Sequence, residues 1–403
     1  MKDIRMVRRE VRMSGICIHN ATLLAGYARM ERCAILVEDG RIADVFSERR
    51  FLQKRFESGT LAYDVDGAYV SPGFIDTHIH GFAGFGTEDL SVDAVMAMSD
   101  HLGQFGVTTF CPTLYPMSNE DMDAAILACT GAMGRETGAR IAGLHLEGPF
   151  ISPARLGVQR PEFVKAVDLE RMEHYFKLSQ GRIVNMTVAP ELKGMRELAL
   201  FCISRGIVLQ AGHTDASYEN MLEGMQAGIL HATHFFNAMS RLHHRDPGAV
   251  GAILIHPELS CEIIADGKHV HPDLIRLLMR DKPEDKVVLV TDGLKATEQY
   301  GCVLYANREE VELVDGVFQR VSDGVIAGSA LTMIKGVHNL VEWGVPIEQA
   351  VRFASSNPAQ IMQLGKRGLL VPGHEADLVV FDKNFGILAS MRGGRFLRNE
   401  LSL

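Results

Sequence analysis

Four histidines and two carboxylates in this chain have the types and spacing to do chemistry. His78 and His80 close the stretch VSPGFIDTHIH, residues 70–80. In a β-strand residues i and i+2 share a face, so both imidazoles leave the end of one strand on one side. Two neutral imidazoles so placed suit a borderline divalent ion such as zinc or iron. Glu147 lies in GLHLEGPF, His213 in VLQAGHT, His234 in HATHFFNAM and Asp292 in VVLVTDG. Histidine and carboxylate are the usual ligands of a catalytic ion, and the two oxygens of Glu147 can bridge a pair of them. Such ions polarise a carbonyl and bring water toward a pKa near 7. Asp292 is the natural general base, taking a proton from water and handing it to a leaving amine. An isolated H-x-H is as readily two unrelated histidines, so the weight rests on where the other four residues lie.

All six lie at or near the ends of short apolar runs. Eight such runs occupy residues 73–80, 107–113, 140–150, 183–190, 206–213, 231–239, 259–266 and 286–292. Stretches of helical period separate most of them, at 92–105, 119–133, 169–178, 194–205, 217–227 and 272–280, with two more helices expected at 330–343 and 347–364. Ser118, three residues before Asp121, reads as a capping-box start. Strands alternating with helices predict an α/β fold, a closed (β/α)8 TIM-type barrel over residues 71–367. No G-x-G-x-x-G follows the first strand, which weighs against a doubly wound open sheet. Barrel enzymes build their sites at the carboxyl ends of the strands, where these six residues fall.

Both ends of the chain read as β-structure. Residues 34–37, Asp39–Gly40 and 42–46 form a hairpin signal, a second turn lies at Gly67, and 49–59 is a charged insertion. After the barrel the chain turns β again at 376–381, with a turn at Gly393–Gly394. A further hairpin is expected at 311–318 around Asp315–Gly316. The expectation is a small β-sandwich domain from residues 1–70 and 368–403 beside the barrel.

At 403 residues there is length for both units. The composition is that of a globular protein, 47% hydrophobic and 23% charged, with a net charge of −9. A negative chain is ill suited to nucleic acid or an anionic membrane surface. The seven cysteines are odd in number and form no CxxC pair, which fits a reducing compartment. Residues 1–13 are basic but lead into no apolar segment, and no run approaches a membrane span. A cytoplasmic protein with a small-molecule substrate is expected.

The motifs then show a family resemblance. SPGFIDTHIHG resembles the opening metal motif of the amidohydrolase superfamily. GLHLEGPF, AGHTDA, THFFNAM, HHRDPG, IIADGKHV, LVTDG and GSALTM resemble the motif series of N-acetylglucosamine-6-phosphate deacetylases. The likeness runs from about residue 33 to GHEADLVVFD. It implies metal-dependent hydrolysis of an acetamide in amino-sugar catabolism, with Zn2+ or Fe2+, one or two ions per subunit. Glu147, His213 and His234 are implied as ligands of the principal ion. His78 and His80, with Glu147 shared and Asp292, are similar to a second site that some members have. Asp292 is implied as the catalytic acid and base. Asn237 and Ala238 lie where the family binds the sugar. Arg245, the loop 266–269 with His269, and Ile326, Ala327 and Gly328 resemble its substrate contacts. Arg245 suits phosphate because its fork matches phosphate oxygens. The resemblance also implies a homodimer that completes the phosphate grip across its interface.

The chain departs from the family pattern after GPF, where G-A-H-N is replaced by Gly157–Val158–Gln159–Arg160. Gln159 can bond a sugar hydroxyl but carries no charge, so the galacto epimer of the substrate stays open. Many amidohydrolases use a modified lysine at strand four; MTVAPE has none, consistent with a bridging Glu147. His145 reads as a packing or supporting residue, and Cys111, Cys202 and Cys261 as small core residues. Two other readings compete: a cyclic amidase or deaminase with the same metals, and a barrel that has lost catalysis and serves as a binding protein, which would lack ligands.

Overall fold

The computed structural model describes residues 15–301 and 303–403, so the expectations for residues 1–13 and for Cys302 lie outside it. All eight expected runs form parallel strands in sequential order. Phe74–Ile79 pairs with Val107–Leu114, and this with Arg140–Ile141 and Leu144–Glu147. Ile183–Val188, Val208–Ala211, His231–Ala232, Ser260–Ile264 and Val287–Val290 follow. Their near-unbroken burial is what a sheet covered on both faces requires. Strand eight meets strand one beyond its own end. The Asp292 N–H donates to His78 O (2.9 Å), and Thr291 Oγ1 donates to Asp76 Oδ2 (2.6 Å). His80 N also donates to Gly293 O (2.9 Å), so the seam that closes the barrel carries three of the residues singled out for chemistry, His78, His80 and Asp292.

The helices lie where helical period places them, with instructive differences. Leu169–Leu178 starts at Asp168, whose side chain accepts from Arg171 N. Ser118 Oγ likewise accepts from Asp121 N (3.1 Å), but the Asp121 carboxylate turns to Arg308 (2.9 Å), so only half of the expected box forms. The expected helix 347–364 is two, Ile347–Phe353 and Ser356–Ile361. Pro358 has no N–H to offer the Ala354 carbonyl, and that carbonyl accepts from Ile75 N (2.8 Å) in the first barrel strand instead. The break thus docks the last helices onto the strand that bears His78 and His80. A helix absent from the sequence expectation, Gly248–Ile255, links strands six and seven; it is almost wholly buried and has no polar face to give a period.

The hairpin at 311–318 is part of a four-stranded antiparallel sheet: Leu304–Ala306, Glu309–Val314, Val317–Arg320 and Ile326–Ser329. Its last strand returns to the barrel seam, where Ser329 N donates to Asp292 O (3.1 Å). The two ends of the chain join in a second sheet, in which Leu378–Phe381 pairs antiparallel with Tyr69–Pro72. One hydrogen-bonded path runs from Arg395–Asn399 through Ile16–Leu24 to Arg41–Ser47. Its outer turns meet, because Gly394 N donates to Ala376 O and Ala376 N to Gly40 O. The sheet thereby folds over its own core of Ile18, Leu23, Ile35, Val70, Leu378 and Met391. The charged insertion contributes one short helix, Glu48–Phe51.

Candidate active site

Left-handed backbone ends three of the barrel strands. His213, His234 and Asp292 have φ of 45°, 25° and 49°. Non-glycine residues seldom adopt this region, and where it is held against its cost the side chain is being aimed. Here it aims three side chains into the mouth of the barrel. Glu147, at the end of strand three, meets them: its Oε1 lies 3.1 Å from both His213 Nε2 and His234 Nε2. His78 Nε2 is 3.4 Å from the same oxygen, and His80 Nε2 is 3.3 Å from Oε2. Asp292 Oδ1 lies 3.6 and 3.5 Å from the Nε2 atoms of His78 and His80. The structure brings all six residues together.

What surrounds these side chains fixes which atoms carry hydrogen. His213 Nδ1 faces the Arg155 carbonyl (2.9 Å) and His80 Nδ1 the Thr113 carbonyl (3.1 Å). A carbonyl only accepts, so each Nδ1 carries the hydrogen and the neutral ring keeps a lone pair on Nε2. The His213 lone pair points at Glu147 Oε1 and at His234 Nε2, each 3.1 Å away, and that of His80 at Glu147 Oε2 and Asp292 Oδ1. Acceptors that converge at this distance need positive charge between them. Burial pushes the Glu147 carboxyl up, but His213 and His78 and the bonds from His213 and His234 outweigh this and hold it well below the carboxylate range. Burial likewise pushes His78 and His213 down, and the carboxylates around them, Glu147 foremost, outweigh it and raise both. Protons do not satisfy the whole set: if both rings donate to Glu147 Oε1 their N–H groups face each other at 3.1 Å, and if only one does, the other's lone pair faces that oxygen. Two triads, His78–His80–Glu147 and Glu147–His213–His234, have their ligand atoms within 4.8 Å and fit divalent ions.

A cavity of about 300 Å³ opens over these residues, within the range of small-molecule sites. Gln159, Asn237, Ala238, His269, Ile326, Ala327 and Gly328 line it with His80, Glu147, His213, His234 and Asp292. Gln159 Nε2 donates to Glu147 Oε2 (2.6 Å), leaving Gln159 Oε1 buried without a partner. Asn237 Nδ2 holds the carbonyls of His234 and Phe235, so its Oδ1 remains for a ligand. Asp266 accepts from His269 Nδ1 (2.6 Å) and from the N–H groups of Lys268 and His269, fixing the His269 ring. Lys268 itself faces Asp315 at the surface (3.6 Å). Gly328 admits no side chain: a Cβ there would stand 2.7 Å from Leu294 Cδ2 and 2.9 Å from Asp292 O.

Two candidates do not line the cavity: His78, which lies behind it against Glu147 and Asp292, and Arg245, which lies outside the site. Arg245 lies with His243 and His244 in an exposed bend closed by hydrogen bonds between His243 and Asp246. Among the described residues no lysine or arginine lines the cavity. His145 is no ligand, because its two nitrogens meet Thr113 Oγ1 (3.1 Å) and Thr187 Oγ1 (2.9 Å). Sequence reasoning missed Tyr115, whose ring stacks on His80 at 3.7 Å and 5°. It also missed Glu262, wholly buried and 3.0 Å from His78 Nδ1.

This constellation, on a barrel with a β domain from both chain ends, can be set beside known proteins. The profile of the amidohydrolase family matches residues 69–397. The chain belongs to the amidohydrolase family. This amidohydrolase is 31% identical to the N-acetylglucosamine-6-phosphate deacetylase of Lysinibacillus sphaericus, over 94% of its own length and 97% of the relative's. It is also 31% identical to an N-acetylgalactosamine-6-phosphate deacetylase of Escherichia coli O157:H7, over 80% and 86%. Among solved structures it superposes with a TM-score of 0.89 on a mutant N-acetyl-D-glucosamine-6-phosphate deacetylase of Mycobacterium smegmatis in complex with N-acetyl-D-glucosamine-6-phosphate. That pair shares 27% identity, covering 96% of this chain and all of the other. The family is one of hydrolases, and the amidohydrolase described here is an enzyme with groups able to hold a metal ion. Among the described residues no helix is long and apolar enough to cross a membrane.

Proposed function

We infer that this enzyme hydrolyses the acetamide of N-acetylglucosamine 6-phosphate to glucosamine 6-phosphate and acetate. The observation that carries the reading is the placement of Asp292 Oδ1 at 3.5–3.6 Å from two imidazole nitrogens, inside the cavity that also holds the Glu147–His213–His234 triad. Glu147, His213 and His234 would hold a principal Zn2+ or Fe2+, and His78, His80, Glu147 and Asp292 a second. Ions there supply a Lewis acid for the acetamide carbonyl and lower the pKa of water. Asp292 takes the proton of the attacking water and returns it to the departing amine. His269, held through Nδ1 by Asp266, donates from Nε2 to the acetamide oxygen when protonated. Gln159 Oε1 and Asn237 Oδ1 accept from sugar hydroxyls, and residues 326–328 close the wall beside Asp292.

We assign the chemistry to residues 71–367, supported by 1–70 and 368–403. The phosphate requires a cation, and no lysine or arginine among the described residues lines the cavity, which favours Arg245 acting in a homodimer. The six cysteines among the described residues are buried and unpaired, which favours a cytoplasmic setting. The relative that acts on the galacto epimer supports a second substrate reading. Acetate release from both hexosamine 6-phosphates, with metal content measured on the same sample, tests these readings. Efficient turnover of the gluco substrate with bound metal is expected; ammonia release, or acetate only from the galacto epimer, would overturn the assignment.

A further inference from the structure

Beneath the cavity floor Glu262, in the middle of the seventh barrel strand, is 0% exposed. Nothing in the proton transfers above uses it. A buried carboxylate is costly unless its oxygens are bonded, so its partners carry the information. Glu262 Oε1 accepts from Gln210 Nε2 at 2.8 Å. Oε2 accepts from the backbone N–H of His234 at 3.2 Å and lies 3.0 Å from His78 Nδ1. A backbone N–H can only donate, so Oε2 is an acceptor and the hydrogen of the His78 pair sits on Nδ1. The neutral ring then keeps its lone pair on Nε2, which is buried with no hydrogen-bond partner and faces Glu147 and Asp292. One oxygen of Glu262 thus holds the ring of a ligand in one triad and the backbone of a ligand in the other.

We propose that Glu262 is a positioning residue for a second divalent cation. It fixes the tautomer and ring direction of His78, so that His78, His80 and Glu147 form a competent ligand set beside Glu147–His213–His234. This rests on the metal reading of the site. A carboxylate behind a ligating histidine orients the ring and raises its basicity, and losing such a partner weakens metal binding about 10–100-fold.

The test is equilibrium dialysis of the full chain against graded free Zn2+, with metal per chain measured by elemental analysis and folding checked by circular dichroism. The parent is expected to take two ions in two steps. Glu262→Met fills the volume without an acceptor; it should retain the first ion and bind the second about 100-fold more weakly. Glu262→Gln keeps one acceptor oxygen and should weaken the second ion by about 10-fold, a graded rescue that a packing role alone would not give. If the methionine variant does not fold, the glutamine variant is judged by the same criterion. Two ions bound at parental affinity, or both steps weakened alike, would overturn the role of Glu262. A parent that binds fewer than two ions would instead overturn the two-metal reading on which it rests.

Discussion

Replacing Asp292 by Asn changes one atom where the proposed proton transfers begin and end. The backbone should tolerate it. Asn is among the few residues that accept the left-handed region, so φ of 49° costs little more than before. The Asp292 N–H still donates to His78 O, and its carbonyl still accepts from Ser329 N, so the barrel seam remains. Glu147, His213 and His234 bond one another without Asp292, so the principal ion should stay. What is lost is the proton acceptor, and with it the donor for the leaving amine. General acid–base catalysis contributes about 10²–10⁴-fold. With one residue serving both transfers, we expect kcat to fall by about 10³-fold, or roughly 4 kcal/mol at 1.36 kcal/mol per decade. Steady-state acetate release, measured with metal content and thermal unfolding on the same preparation, decides the matter. A folded, metal-loaded Asp292→Asn enzyme within tenfold of the parental kcat would refute the reasoning.

Other perturbations separate the remaining roles. Arg245→Ala should raise KM for the phosphorylated sugar about 10–100-fold, the scale of a charged hydrogen bond, and leave an unphosphorylated analogue nearly unaffected; equal effects on both would remove Arg245 from phosphate binding. Gly328→Ala forces a Cβ against Leu294 and the Asp292 carbonyl, so we expect a loss of about 1–3 kcal/mol of stability in denaturant titrations and a fall in kcat; unchanged midpoint and rate would show that the seam yields freely. Asp266 titrates lower in the folded enzyme: burial raises it, but the hydrogen bond and charge of His269 and two backbone N–H groups outweigh this. Its contribution is complete above the unfolded carboxylate pKa of about 4 and fades as pH falls through the lower folded value. Asp266→Asn should therefore be less stable than the parent near pH 7, with the gap shrinking below about pH 4; a gap constant from pH 7 to pH 3 would contradict this.

The fold was legible because period and length agree along the barrel. Most strands are short, largely apolar runs followed by a polar strand end, and most connecting helices carry one buried stripe. Where period fails, reading fails with it. Gly248–Ile255 is buried on nearly every side and so has no alternation to read. Residues 347–364 keep helical period across Ser355, and the break needs both Pro358, which offers the Ala354 carbonyl no N–H, and Ile75 N, which takes that carbonyl. Strand six is only His231–Ala232, because the chain then turns through three left-handed residues, His234, Phe236 and Ala238, to present its side chains. A run of mixed apolar and polar residues cannot announce that its second half is coil.

The ligands themselves were readable because barrel topology converts a strand end into a position in space. Their supports were not, since a carbonyl such as that of Arg155 or Thr113 leaves no trace in residue type. Glu262 did leave one: a charged residue in the otherwise apolar SCEII, at a position the pleat turns inward, has to have a partner inside the barrel. Tyr115, one residue beyond the second strand, gave only the signal of an aromatic among apolar neighbours, which core packing explains equally well. Phosphate recognition is a different case. Among the described residues no lysine or arginine lines the cavity, while the charge of a dianionic group calls for a cation. In the proposed reading Arg245 supplies that cation from outside the wall. Arg245 sits on an exposed bend closed by hydrogen bonds between His243 and Asp246, and the proposed phosphate grip requires a second copy of the chain to bring that bend to the substrate.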